Sequence, residues 1–375
     1  MGRTIRTVSR KGYAKIAKPL LFRQAPDASH ETMIWSARAL RTIRAEQILS
    51  TWRYKNPRLE QTILGSDFLN PVGLSAGLDK NIDLPIVAKK IGFGFEIGGS
   101  ITAQPCEGNP KPWFHRLPDE QSIVVNVGLA NRGVAAAIER ITNYPHRTWK
   151  NFPLSISVAK TNGPEQAKLK DAIADYCDSL RQLEAAGIVP LYEINISCPN
   201  AYGGEPFTTP ARLKKLLTAI DELHLSRPVF LKMPTDKTWT QFAKLLEIAD
   251  VHKVAGVTIG NLIKDRSQLA DPSALSDEIN GNLSGKPAQA ITTQLIRKTY
   301  AAYGDRFVII GVGGIFTADD AYAKIRAGAS LVALTTALMF EGPQLPGEIN
   351  EALIGLLDRD NYVSISEAIG ADHRE

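Results

Sequence analysis

From residue 70 onward the chain repeats one unit: a short apolar run of strand length, then a longer amphipathic stretch. The runs are Val72–Ser75, Gly94–Gly98, Leu154–Val158, Tyr192–Ile196, Val229–Met233, Gly256–Gly260, Phe307–Gly311 and Leu331–Leu334. Rich in Val and Ile and separated by helical patterns such as Asp171–Ala186 and Thr238–His252, they read as parallel strands covered on both faces. Eight such units in series favour a closed (β/α)8 barrel, the TIM-barrel architecture, over an open doubly wound sheet. The 375 residues do not demand a second domain, since such barrels routinely exceed about 250 residues as one unit. The expected division is an N-terminal extension over residues 1–53 and a barrel over 54–375. The connection over about residues 100–150 is too long for an ordinary loop and is expected to carry structure over one barrel mouth.

The extension begins as a basic arm, because Arg3, Arg6, Arg10, Lys11, Lys15 and Lys18 all precede the first acidic residue, Asp27. Two readings stand for this arm: a frayed, solvated terminus, or a contact with an anionic membrane surface. After Pro26 a helix is expected from Asp27 to Ile48, with Met33, Ile34, Ala37, Leu40 and Ile43 on one face and Asp27 or Ser29 as its cap. No apolar stretch is long enough for a signal peptide or a spanning helix. The three cysteines suit neither a disulfide framework nor a zinc site, and the six histidines show no HExxH or HxH spacing, so an intracellular, metal-free protein is expected. No basic stripe with interleaved aromatics speaks for nucleic acid.

In a barrel, chemistry belongs at the carboxyl ends of the strands and phosphate near strands seven and eight. After the seventh run comes Gly311-Val312-Gly313-Gly314, where main-chain N–H groups can approach a phosphate without Cβ interference. After the eighth come the hydroxyls of Thr335 and Thr336. This is a mononucleotide-type phosphate site, not the GxGxxG pattern that follows a first strand in dinucleotide folds. The fourth run ends in Asn195-Ile196-Ser197-Cys198-Pro199-Asn200, which gathers two carboxamides and a thiol. Carboxamides both donate and accept, which suits an amide- or imide-bearing ring, and a thiol whose pKa is lowered serves as a base. The bland alternative makes Cys198 an inert small hydrophobe and the asparagines turn residues; the strand-end position favours chemistry. Cys106 and Cys177 stay on the inert side. Lys80 follows the first run, and Lys232 lies within the fifth, where a lysine must either snorkel or meet an anion or electron-rich ring edge.

These residues, with the segments Asn70–Asn81, Gly108–Pro118, Leu283–Pro287, Ile309–Gly314 and Ala368–Arg374, resemble dihydroorotate dehydrogenases over nearly the whole chain. The helical extension and the closing Ala-Ile-Gly-Ala-Asp-His-Arg look like the quinone-using, membrane-associated class. The resemblance implies FMN over the barrel mouth, its phosphate near Ser284, Gly285, Gly313, Gly314, Thr335 and Thr336. Its ring would lie near Ser75, Ala76, Gly77, Lys80, Gly99, Ser100, Ser157, Asn195, Lys232 and Gly260. The resemblance also implies a site for dihydroorotate or orotate at Lys80, Asn195, Asn200 and Asn261, Cys198 as general base, hydride transfer to flavin N5, and a quinone as acceptor. Place and role would be the cytoplasmic side of a membrane, peripherally attached, and the oxidation of (S)-dihydroorotate in pyrimidine synthesis.

The sequence departs from that family at four positions. Cys198 stands where the quinone-using class has serine, although the soluble classes have cysteine. Val125 occupies the place of an orotate-binding asparagine, with Asn126 one position later. Leu262 replaces a hydroxyl residue, and Ser157 a flavin-contacting asparagine. Either Asn126 takes over the lost substrate contact, or the substrate lacks the polar group that contact would meet. The alternative function is then an FMN oxidoreductase acting on a different cyclic amide or enoyl compound.

Overall fold

The computed structural model describes residues 2–42 and 45–374. Eight parallel strands, β1 (Val72–Leu74), β2 (Phe95–Ile101), β3 (Leu154–Val158), β4 (Leu191–Asn195), β5 (Val229–Met233), β6 (Val254–Ile259), β7 (Val308–Val312) and β8 (Leu331–Leu334), form a closed barrel. They pair in chain order, and Val332↔Val72 brings β8 back to β1. Each expected apolar run overlaps its strand. Side chains alternate along each strand between the barrel interior and the helix layer. Phe95, Ile97, Leu191, Phe230, Ile310 and Leu331 pack together with Phe68 as the interior cluster. The hairpin Gln61–Ile63 and Ser66–Phe68 plugs this end, setting Phe68 edge-on to Phe95 with ring centroids 5.5 Å apart. Two glycines make room for the rings: a Cβ on Gly73 would fall 2.2 Å from the Phe95 ring, and one on Gly256 2.3 Å from that of Phe230. Truncating such a ring to alanine costs about 3–5 kcal/mol.

At the opposite mouth, the connection between β2 and β3 supplies two antiparallel strands, Phe114–Leu117 and Ser122–Val125, and a helix, Gly133–Thr142. Residues Asn282–Gly285, between β6 and β7, complete a three-stranded sheet through Asn282↔Val125 and Gly285↔Ser122. The long connection therefore forms part of the cavity wall described below.

The N-terminal segment lies against this mouth. Helices Gly2–Gly12, Lys18–Phe22 and Pro26–Thr42 are followed by a 3-10 segment, Ala45–Trp52. The frayed-terminus reading is corrected, since Arg6 is 3% exposed and its guanidinium donates to Glu351 at 2.7 Å and to the Trp52 carbonyl at 3.2 Å. Tyr13 donates to the Met339 carbonyl at 2.6 Å. The expected helix over 27–48 stops at Thr42, and Ile43 lies outside the described residues. Asp27 and Ser29 do not cap it: Asp27 accepts from the Trp113 N–H at 3.0 Å, and Ser29 donates to Leu21 O at 2.9 Å. Both bonds tie the extension together or to the sheet.

Candidate active site

At the carboxyl ends of β7 and β8 the backbone forms a cradle. Gly313 and Gly314 have φ of 97° and 68°, and a Cβ on Gly314 would fall 2.4 Å from Gln289 Cβ. Gly285 passes so close to Gln121 that a Cβ would lie 2.3 Å from its carbonyl oxygen. Only glycine tolerates both approaches. Beside them the Ser284 and Thr336 hydroxyls bond at 2.7 Å, and Thr335 donates to Ser75 O at 3.2 Å. These residues, with Ala76, Gly77 and Gly260, bound a cavity of about 960 Å³, mouth included, whose other wall is Phe114, Ile123, Val125 and Leu334. A slot with apolar sides and a glycine turn at one end suits a flat ring carrying an anionic tail.

The slot's other end is polar. Lys232 on β5 is 6% exposed, and its ammonium has no hydrogen-bond or ion-pair partner among the described residues. A buried cation of this kind is poised for an electron-rich or anionic group. Asn195 at the end of β4 donates to Ser100 Oγ at 2.8 Å, and Ser100 and Ser157 share a hydroxyl bond of 2.8 Å. Tyr176 fixes the strand end by donating to Asn195 O at 2.6 Å.

A second cavity of about 610 Å³ adjoins the first through Ala76, Gly77, Val125, Lys232, Asn261 and Leu262. Into it the fold gathers Lys80, Gly99, Ser100, Asn195, Cys198, Asn200 and Asn261 from four strand ends. Asn261 donates to Ser197 Oγ at 2.6 Å, while Asn200 donates to Val125 O at 2.8 Å and accepts from Asn282 at 2.7 Å. Val125, Val127, Leu129, Ala130 and Leu262 also line it, so the cavity offers both polar and apolar groups.

Electrostatics distinguish the two reactive groups. The Lys80 loop is pinned by Asp79, which accepts from the N–H groups of Asp83 at 2.7 Å and Leu84 at 2.6 Å. Burial lowers the Lys80 pKa to about 8, against the pull of Asp79 and Asp27. His30, from the N-terminal helix, has Nε2 3.2 Å from Leu78 O and 3.3 Å from Lys80 Nζ. One ring nitrogen cannot donate to the carbonyl and accept from the ammonium together. Burial, reinforced by Lys80, lowers the His30 pKa to about 4, which keeps the ring neutral. Burial also raises the Cys198 thiol to about 11, with the Asn200 N–H, Lys232 and Lys160 opposing. Lys160 donates to Tyr202 O at 2.7 Å and so holds the loop that follows Cys198.

Two expected contacts are corrected. Asn126 does not line either cavity: it follows Val125 on the opposite side of the chain and accepts from Asn109 Nδ2 at 2.9 Å. Ser157 is fully buried behind Ser100, too short to reach past it. The other expected residues line one cavity or both. Sequence reading missed His30, Phe114 and Lys160. Their cues were weak, since His30 sits in a helix distant in sequence and Lys160 lies two residues past a strand.

Comparison with known proteins agrees with this geometry. The family model described as dihydroorotate dehydrogenase matches residues 58–357. A "Dihydroorotate dehydrogenase (quinone)" of Deinococcus deserti is 34% identical, with 96% of this chain and 99% of the relative covered. One of Acaryochloris marina is 31% identical over the same shares. The crystal structure of DHODH in complex with ferulenol from Eimeria tenella superposes with a TM-score of 0.83 at 25% identity, covering 95% of this chain and 99% of that one. Barrel, strand-end site and full-length similarity together make this chain an oxidoreductase of the dihydroorotate dehydrogenase family.

Proposed function

We propose that the protein oxidises (S)-dihydroorotate to orotate at a bound FMN and passes the electrons to a quinone. The observation that carries the reading is the continuity of two cavities. A glycine cradle ends the first, and Lys232 lies where it meets a second lined by Lys80, Cys198 and three asparagines. The residues fit the flavin: Gly285 and Gly314 pack so closely on Gln121 and Gln289 that only glycine keeps the turn in this shape beside the slot, and Lys232 is buried with no ion-pair partner among the described residues. FMN bound there would supply a two-electron acceptor for the substrate's hydride.

The chain's own residues do the rest. Lys80 offers its ammonium to the substrate carboxylate, a charge-assisted bond in a partly dry site. Asn195, Asn200 and Asn261 are held rigidly by Ser100, Val125 and Ser197, which orients their remaining capacity toward an imide ring. Cys198 removes the proton beside the carbon that loses hydride, once Lys232, Lys160 and the bound ligands favour its thiolate. The N-terminal segment, residues 1–53, serves as the lid through which quinone reaches the slot, bringing Pro26 and His30 to its wall. No described helix is long and apolar enough to cross a membrane, and the basic first helix makes the contact peripheral.

Val125 and Leu262 favour a second reading, in which the substrate is another cyclic amide or enoyl compound with a less polar edge. Anaerobic addition of L-dihydroorotate to the yellow protein separates the two. Rapid bleaching, followed by reoxidation with a soluble quinone, is expected; a flavin that dithionite reduces and dihydroorotate does not would sink the first reading.

A further inference from the structure

Lys324 lies on the helix Ala318–Arg326, behind the glycine cradle, and is wholly buried. Its ammonium donates to Thr292 Oγ1 at 2.6 Å, Thr293 Oγ1 at 2.9 Å and Gln289 O at 3.3 Å, all neutral groups in the first turn of the helix Gln289–Tyr303. That turn is also what the cradle rests on. A Cβ on Gly313 would lie 3.3 Å from Thr292 Oγ1, and one on Gly314 2.8 Å from the Gln289 nitrogen. A single hydroxyl therefore stands between the buried ammonium and the backbone of the glycine turn.

The surrounding charges leave Lys324 without a bonded counter-ion among the described residues. Asp320, the carboxylate that acts on it, is occupied by Gln289 Nε2, by the N–H groups of Phe316 and Thr317 at 2.9 Å each, and by Lys286 at 3.7 Å. Arg326 and Arg297 turn away to Asp372. Burying an ammonium among neutral groups is costly, and the cost falls when an anion settles nearby.

We propose that Lys324 is a positioning residue for the flavin phosphate: its ammonium braces the turn under Gly313–Gly314 and supplies positive charge behind it. The proposal rests on the FMN reading above and adds to it a residue that never touches the ligand. Burial lowers the Lys324 pKa to about 7, Asp320 opposing, so the group is partly neutral in the flavin-free protein. A phosphate dianion raises that pKa, and FMN binding then takes up a proton above pH 7. Riboflavin, which lacks the phosphate, does not.

The test is flavin binding by full-length protein stripped of flavin, with FMN and riboflavin titrated between pH 7 and pH 9. Over this range the phosphate's own second ionisation, near pH 6, is complete. Lys80 faces the ring end and acts on both flavins alike, so the ratio of riboflavin to FMN Kd isolates the phosphate end. The wild-type ratio is expected to fall about tenfold from pH 7 to pH 9. Lys324→Met, which keeps the stem, is expected to lower the ratio at pH 7 by about tenfold and to flatten its pH dependence. A wild-type ratio independent of pH, or a variant that loses both flavins equally, overturns the proposal. Wild-type protein that binds neither flavin overturns the FMN reading itself.

Discussion

The Asn200 carboxamide donates to the main-chain carbonyl of Val125 at 2.8 Å, so the loop after Cys198 is latched to a residue that presents hydrocarbon to both cavities. Both cavities end on Val125 and Leu262. A buried hydrogen bond restored there is worth about 1 kcal/mol or more. Val125→Asn is expected to raise kcat/KM for dihydroorotate about tenfold, with Leu262→Thr adding a smaller gain. Stopped-flow flavin reduction would measure it, and an unchanged or lower value would show that neither side chain faces the substrate.

As the proposed base, Cys198 is expected to set the pH dependence of the reductive half-reaction. Its thiol lies near 11 before ligands bind, so the thiolate fraction grows with pH across the working range. Reduction of the flavin by dihydroorotate should accelerate by up to about tenfold per unit from pH 7 to pH 9. Cys198→Ala should slow it by about 10² or more and abolish the slope. A slope that survives the substitution would assign the base elsewhere.

Lys80, as the proposed partner of the substrate carboxylate, is expected to act in the opposite sense. Its folded pKa of about 8 means that the ammonium, and its attraction for a carboxylate, fades as pH rises through that value. Orotate affinity, followed by perturbation of the flavin spectrum, should weaken about tenfold between pH 7 and pH 10. Lys80→Met should bind weakly throughout and show no such decline.

Glu96 offers a test of stability rather than turnover. It faces the helix layer from β2, fully buried, where its protonated carboxyl can donate to Asp79. Burial, and then the nearby Asp79, hold its pKa well above the usual carboxylate range. For a group raised in this way, its stabilising contribution is complete below the unfolded pKa and is lost as pH climbs toward the folded one. Glu96→Gln should therefore raise Tm by roughly 2–4 °C at pH 8 and by little at pH 4, as differential scanning calorimetry would show.

The barrel was legible because its strands are covered on both faces, which leaves uninterrupted apolar runs such as Val229–Met233 with only Lys232 out of pattern. That one exception marked the floor of the site. Strand-end position likewise pointed to Cys198, Asn195 and the Gly313–Gly314 turn, all of which line the cavities. The Asn126 reading failed because a one-residue offset on a strand reverses the side chain's face, and a sequence shows the neighbour without showing the face. The Ser157 reading failed on reach. His30, Lys160 and Lys324 were invisible for a common reason: each acts across a helix or loop contact between segments far apart in the chain.

The clasp between Arg6 and Glu351 joins residues 345 positions apart. During synthesis, domains form from the N-terminus as the chain emerges. Here the helix Gly2–Gly12 has its anchoring carboxylate on the much later helix Leu345–Arg359. Until Leu345–Arg359 has left the ribosome, residues 2–12 can close only onto Trp52, so the bond that fastens them to the barrel is among the later ones the emerging chain can make.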